Sequence, residues 1–309
     1  MQKIRDLVTD LAATLREEVL PQLGAHAARA HSGAAEGGDV TFEIDERAEA
    51  RMEAFLAERA PEISFYSEDR GLVSPAGQRD EWVLVVDPID GTRPALAGLE
   101  SCCVSVAAAR LDSEPTMGDV EVGCVLELKS GSSFVAERGQ GLQPPANLST
   151  NRSLARMFWC YGFRGRPARA LVEVLAELID ASSVGGGTFD LGSATYDMTR
   201  IATGQLDAYV EPGPRMIDDV PGIRAEFERV GDGAVLNNSP YDLAAATICL
   251  EECGAVVTDA YGQSLRDRPL LGSGHDFQMS CVAAANAELH SVICSEIDAG
   301  IERLRSVIA

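Results

Sequence analysis

Apolar residues recur at helical spacing from the start of the chain. Ile4, Leu7, Val8, Leu11 and Leu15 form a single face, which predicts an amphipathic helix over Met1 to Leu20. Acidic residues interrupt the apolar ones there, so the segment does not read as a signal peptide. A Gly-rich loop, Ser32 to Asp39, precedes a second helix from about Ile44 to Ala60, with Ala48, Met52, Phe55 and Leu56 on one side and Pro61 marking its end. The pattern then changes to short runs. Ile63–Ser67 reads as a strand that stops at Glu68-Asp69, and Trp82–Val86 as one that stops at Asp87. The second run, W-V-L-V-V, is apolar throughout, as in a strand buried on both faces. Further strands are predicted at Cys102–Arg110, Val120–Leu128 and Ser133–Glu137, separated by turn clusters at Asp112–Asp119 and Lys129–Ser132.

Leu142 to Arg152 is rich in Pro and polar residues and is the best candidate for a boundary between domains at 1–145 and 146–309. Beyond it, strands and helices alternate. Strands are predicted at Met157–Cys160, Ala208–Val210, Val256–Thr258 and Cys281–Ala284. Helices are predicted at Ala168–Ile179, Gly192–Thr203, Asp242–Cys253 and Asn286–Ile308. The fold class is therefore an α+β N-terminal half followed by an α/β C-terminal half. No internal repeat is visible.

Composition narrows the function. The chain has 309 residues, 46% of them hydrophobic, an ordinary balance for a folded protein of one large or two medium domains. No run of eighteen apolar residues suggests a membrane span. The net charge is −22, a field that repels nucleic acid and anionic lipid. A phosphate ester would also be repelled unless cations are recruited locally. The eight cysteines include no C-x-x-C pair; they read as reduced core residues of a cytoplasmic protein, with zinc as the minor alternative.

Candidate chemistry concentrates at Asp87-Pro88-Ile89-Asp90-Gly91-Thr92, directly after the apolar strand. Two carboxylates there would lie at a sheet edge, with Pro88 fixing the turn and Gly91 permitting close backbone approach. Gly91 and Thr92 would open a helix whose free N–H groups bind an anion. Carboxylates beside an anion nest call for a cation between them, and an all-oxygen donor set favours Mg²⁺. A plain Pro-Gly turn with solvated aspartates is the bland alternative. Glu68 and Asp69 end the other strand and could pool with this pair if the strands are neighbours. Asp45 fits the acidic first turn of a helix, and Asp242 fits a capping box begun by Ser239. Taken singly, each has a purely structural explanation.

Taken together, their order resembles the inositol monophosphatase / fructose-1,6-bisphosphatase superfamily of metal-dependent, lithium-sensitive phosphatases. WVLVVDPIDGT at 82–92 looks like the first family signature, and YDLAAATICLEECGAVVTDAYGQSL at 241–265 like the second. S-E-D at 67–69, GSATYDMTRIATGQLDAYVE at 192–211 and the helix start at Asn286–His290 match further segments, so the resemblance covers essentially the whole chain. It looks most like the archaeal-type branch, whose members act on inositol phosphates and fructose bisphosphate.

The resemblance implies a layered αβαβα sandwich and a Mg²⁺-dependent phosphomonoesterase, a homodimer acting on a small phosphorylated alcohol with no nucleic-acid or membrane partner. It implies that Glu68, Asp87 and the Ile89 carbonyl hold a first Mg²⁺, and Asp87, Asp90 and Asp242 a second, with a third near Glu68 through water. Gly91 and Thr92 would grip the phosphate, and Thr92 with Asp45 would orient and deprotonate the attacking water. Gly192, Ser193, Ala194 and Glu211 would contact the alcohol. NADP, histidinol phosphate and a 3′-phosphoadenylate are alternative substrates, and a non-catalytic sugar-phosphate-binding protein is the alternative from another class.

The sequence departs from the family pattern in three places. Arg93-Pro94 follows Thr92, and Arg93 either pairs a second substrate phosphate or forms a salt bridge. An insertion at about 212–238, with Arg215, Arg224 and Arg229, separates Glu211 from Asp242. A lysine common before the Asp45 position in inositol-specific relatives is absent, although the Gly-rich loop still suits a flap over the site. His26, His31, His275 and His290 are scattered and read as surface or capping residues.

Overall fold

Gln2–Val19 forms helix α1, which buries Ile4, Val8, Leu11, Leu15 and Val19, the face anticipated from their spacing. It packs beside α2 (Glu43–Arg59) on one face of a mixed sheet. The computed structural model describes residues 1–25, 31–34, 40–75, 77, 81–111 and 114–308. Within the Gly-rich stretch, β1 (His31–Ala34) pairs antiparallel with β2 (Val40–Phe42), so that part is strand rather than loop. Residues 35–39, the rest of the expected flap, lie outside the described residues, as do His26 and residues 112 and 113 of the expected Asp112–Asp119 turn.

The first large sheet is built from β3 (Ser64–Ser67), β4 (Gly71–Val73), β5 (Trp82–Asp90), β6 (Cys103–Arg110), β7 (Val120–Glu127), β8 (Ser133–Glu137) and β9 (Gly141–Gln143). Its order is β4-β3-β5-β6-β7-β8-β9. Only β3 and β5 run parallel, with Ser67 opposite Val86. That register sets Glu68 and Asp87, the next residue of each strand, side by side.

The second sheet has the order β11-β10-β12-β14-β13. Its strands are β10 (Phe158–Tyr161), β11 (Gly187–Phe189), β12 (Ala208–Glu211), β13 (Val256–Thr258) and β14 (Cys281–Ala284). Between the sheets lie α5 (Ala194–Ala202) and α8 (Pro240–Glu252). A core of Val85, Cys103, Met198, Leu243, Ile248 and Cys281 joins both sheets through this middle layer. The outer face of the second sheet is covered by α4 (Ala168–Ser182) and α9 (Ala287–Ile308). The result is five layers, αβαβα. Leu142–Arg152 runs from the last strand of one sheet to the first of the other, while the helix layer between them is shared.

The insertion is structured. Its helices α6 (Gly213–Asp219) and α7 (Arg224–Val230) bury Met216, Val220, Ile223 and Phe227 in the outer core. All eight cysteines are free, and six are buried. No helix among the described residues is long and apolar enough to cross a membrane.

Candidate active site

Strand β5 does not stop at Asp87. It continues to Asp90, because β6 still pairs with it: Asp87 lies opposite Ser105 and Asp90 opposite Cys103. Three steps along β5 thus match two along β6, a β-bulge. In a regular strand, residues three apart point to opposite faces. The extra residue resets that alternation and lets both carboxylates turn the same way. Pro88, which has no N–H to give the ladder, sits in the bulge where none is needed.

Gly91 follows at φ 87° and caps α3 (Thr92–Ala97). A Cβ here would lie 2.7 Å from Ser101 O and 2.9 Å from Ser193 Cβ, so both backbone conformation and space require glycine. The anticipated helix start after the D-x-x-D pair is therefore present.

Asp242 reaches the same point from α8. It caps that helix by accepting from Ser239 N at 2.6 Å, as the sequence suggested, and also joins a cluster. Asp87, Asp90 and Asp242 bring one carboxylate oxygen each within 4.8 Å of one another. The start of α5 secures them: Asp90 Oδ2 accepts from Ser193 Oγ at 2.8 Å and Thr195 N at 2.6 Å, and Thr195 Oγ1 donates to Asp242 O at 2.8 Å. Ile89 N donates to Asp87 Oδ1 at 3.0 Å. Ser193 is thus both the N-cap of α5 and a support for Asp90. Glu68 lines the cavity formed by this group and is the charge that acts most strongly on Asp87, but it stands outside the tight trio.

Burial pushes the Asp87 carboxyl well above the usual carboxylate range, and repulsion from Glu68, Asp90 and Asp242 adds to this. Burial likewise raises Asp90, and it lifts Asp242 to about 8 with a further contribution from Asp90. Carboxylates held together at such cost fit a divalent cation, and the donor set is oxygen only, as Mg²⁺ requires.

On the other side of Gly91, Thr92 Oγ1 lies 3.1 Å from both Asp45 Oδ1 and Ile89 O. Asp45 Oδ2 accepts from Phe42 N at 2.9 Å, which fixes it in the first turn of α2. Arg93 lies over the Phe42 ring, 5.6 Å from its centroid, and lines the cavity.

Sequence reasoning missed the loop after β10. Arg164 lines all three neighbouring cavities around Asp242. Its charge lowers the carboxyl pKa values of Asp90 and Asp242 against the larger effect of burial. Gly162-Phe163-Arg164-Gly165-Arg166 carries the only visible signal, two arginines spaced by glycine. Arg166 explains a correction. Glu211 is fully buried, forms an ion pair with Arg166, accepts from Gly213 N at 2.6 Å and does not line the cavity. A carboxylate without a nearby cation would have been free for the alcohol; this one is consumed by Arg166. Gly192, Ser193 and Ala194 do line the cavity.

The insertion arginines also stay away from the site. Arg215 pairs with Asp219 and Asp298, Arg224 with Glu228, and Arg229 with Glu226. These acids are on the same or neighbouring helices, so local pairing wins. His290 is buried against Thr258 Oγ1 at 2.8 Å rather than at the surface, because its position on α9 faces β13.

The inositol monophosphatase family model matches residues 1–302. An inositol-1-monophosphatase of Mesorhizobium japonicum is 25% identical over 247 residues, 77% of this chain and 79% of the relative. A fructose-1,6-bisphosphatase/inositol-1-monophosphatase of Methanothermobacter thermautotrophicus is 26% identical over 272 residues, 84% of each chain. Among solved structures, the IMPase of Thermotoga maritima superposes with a TM-score of 0.72 at 19% identity, covering 98% of this chain and 100% of the other. That likeness shows the fold.

Proposed function

The chain belongs to the inositol monophosphatase family, a metal-dependent family of phosphatases, and from that premise we propose that it is a Mg²⁺-dependent phosphomonoesterase acting on a small phosphorylated polyol. The observation that carries this reading is the convergence of Asp87, Asp90 and Asp242 beside the Thr92–Asp45 pair. Inositol monophosphate and fructose 1,6-bisphosphate lead as substrates, after the names of the relatives.

Asp87, Asp90 and Asp242 would hold the metal, with Glu68 and the Ile89 carbonyl beside them for further ions. When bound, Mg²⁺ supplies positive charge against the phosphoryl oxygens and makes water more acidic. Thr92 gives its hydrogen to Asp45, which leaves a lone pair on Oγ1 to accept from the attacking water. Asp45 then takes the proton through Thr92, a general-base role. The Gly91 and Thr92 N–H groups start α3 and orient the phosphate. Arg164, which lines the cavity, offsets the charge of the ester against the surrounding acids. Ser193 and Thr195 keep Asp90 in place while the alcohol leaves.

The test is phosphate release from a panel of esters with Mg²⁺, with EDTA and with added Li⁺. Turnover that requires Mg²⁺ and is inhibited by Li⁺ supports the reading. Metal-independent turnover, or none with any ester in protein shown to bind Mg²⁺, overturns it. Sedimentation of the same sample tests the homodimer that the family resemblance implies, and fractionation tests the cytoplasmic location.

A further inference from the structure

Asp45 and Glu49 are four residues apart on α2, so their side chains share one face of the helix. Asp45 accepts from Thr92 Oγ1. One turn further on, Glu49 meets the turn that follows β3. Its carboxylate accepts from Ser67 Oγ at 2.9 Å and from Asp69 N at 3.4 Å. These partners are the residues immediately before and after Glu68. The Asp69 N–H belongs to the peptide group that also carries the Glu68 carbonyl, so Glu49 holds the backbone on which Glu68 stands.

Other bonds draw the same turn against α2. Thr41 Oγ1, two residues before the helix, donates to Asp69 Oδ1 at 2.6 Å. Arg70 Nε donates to Glu53 Oε1, one turn beyond Glu49, at 2.6 Å. The Arg70–Glu53 bond is exposed to solvent, whereas Glu49 is only 1% exposed. Burying a carboxyl is unfavourable unless hydrogen bonds offset it. Ala48 and Met52, its neighbours on the helix, are core residues, and an unbranched apolar side chain at 49 would avoid that desolvation. What such a residue would lose is the hold on Ser67 and Asp69.

Glu68 depends on that hold. It lies one residue past the end of β3, in the turn to β4, so the strand ladder alone does not set its position. It nevertheless lines the cavity with Asp87, Asp90 and Asp242. We propose that Glu49 is a positioning residue for the metal centre: it holds the turn at 67–69 so that Glu68 stays beside Asp87 as a metal ligand. The proposal rests on the phosphatase reading, in which Glu68 serves a bound Mg²⁺. Glu49 touches neither substrate nor the reacting atoms and acts only through Glu68. A group that orients a metal ligand in this way contributes about ten- to hundredfold in metal affinity.

The experiment titrates Mg²⁺ into the metal-free protein by calorimetry, without substrate. It compares wild type, Glu49→Met, Glu49→Gln, Glu68→Gln and the double variant Glu49→Met/Glu68→Gln, with urea unfolding of each to show that it is folded. Glu49→Met keeps the length of the side chain and removes both bonds; it should weaken Mg²⁺ binding by about ten- to hundredfold. Glu49→Gln, whose amide can accept from Asp69 N and donate to Ser67 Oγ, should restore most of the affinity. The double variant should lose no more than Glu68→Gln alone, because the two residues act in series. In turnover assays the Mg²⁺ concentration for half-maximal rate should rise in Glu49→Met, with kcat at saturating Mg²⁺ largely kept. Full Mg²⁺ affinity in folded Glu49→Met, or losses that add in the double variant, overturn the proposal and leave Glu49 with a role in the fold alone. Should Glu49→Met fail to fold, Ser67→Ala decides, since it removes one of the two bonds. A loss of about threefold or more in Mg²⁺ affinity then supports the proposal, and unchanged affinity overturns it. A wild type that binds no Mg²⁺ sinks the metal reading and the proposal together, whereas a wild type and a Glu49→Met variant that bind it equally sink the proposal alone.

Discussion

Thr92 donates its hydroxyl hydrogen to Asp45 across 3.1 Å, which joins the first turn of α3 to the first turn of α2. The two residues are 47 apart in the chain. Thr92→Val keeps the shape and removes the hydroxyl. Its kcat is expected to fall by roughly 10²–10⁴, the range of a lost general base, with a small change in KM. Asp45→Asn should lose similar activity, and up to about 1 kcal/mol of stability as well, because Asp45 also accepts from Phe42 N. Steady-state kinetics paired with urea unfolding separate the two effects. A Thr92→Val enzyme with wild-type kcat would exclude the pair from proton transfer.

Asp90→Asn should abolish turnover and weaken Mg²⁺ binding. In EDTA, however, the variant should be more thermostable than wild type. The substitution removes one of three crowded charges, while Asn can still accept from Ser193 and Thr195. Thermal scans with and without Mg²⁺ check this; a lower midpoint in EDTA would show that the carboxylate is structurally required.

The raised carboxyls make metal-free stability depend on pH. The folded pKa of Asp242, about 8, lies above its ordinary 3.8, so the folded state binds more protons than the unfolded state between these values. Its contribution is fully present below the lower value and is lost as pH rises toward the upper one. Asp87 and Asp90 shift in the same direction. In EDTA the melting temperature should fall from pH 5 to pH 8, and saturating Mg²⁺ should flatten the profile by binding the charged forms. A metal-free profile that rises over this range would contradict the assignment.

Glu49 behaves in the same way beneath the site. Burial lifts its carboxyl to about 7, although it accepts from Ser67 Oγ at 2.9 Å. Glu49→Gln should be close to neutral at pH 5. At pH 8 it should stabilise by on the order of 2 kcal/mol, because it removes a desolvated charge. Denaturation at the two pH values tests the difference, and equal effects would show that Glu49 is charged in both.

Breaking the buried Arg166–Glu211 pair should act on stability. Glu211→Gln leaves the Arg166 guanidinium without its counter-charge, at a cost of about 3–5 kcal/mol. Urea midpoints measure it. A loss of affinity for the alcohol with full stability would instead return Glu211 to the substrate.

Much of the architecture was legible in the chain. The heptad-like spacing of Ile4, Val8, Leu11 and Leu15 and the unbroken W-V-L-V-V run placed a helix and a buried strand, since burial imposes periods that sequence displays directly. Asp87, Asp90, Asp242, Asp45 and Thr92 could each be singled out because turn and cap chemistry is local. The bulge could not: Asp87 and Asp90 face one way only because β6 pairs across them with one residue fewer.

Ordinary side-chain chemistry, composition and short-range spacing thus determined most helices and strands, the strong acidity and the residue types of the site, but not the two helices of the insertion. Tertiary structure decided which charges meet. It placed Arg166 against Glu211, turned the insertion arginines to acids on nearby helices, and carried Arg164 to the cavity. Those outcomes depend on contacts between residues far apart in the chain. Long, flexible side chains choose partners by Coulomb energy and desolvation at the final positions, and no local pattern in a sequence specifies those positions.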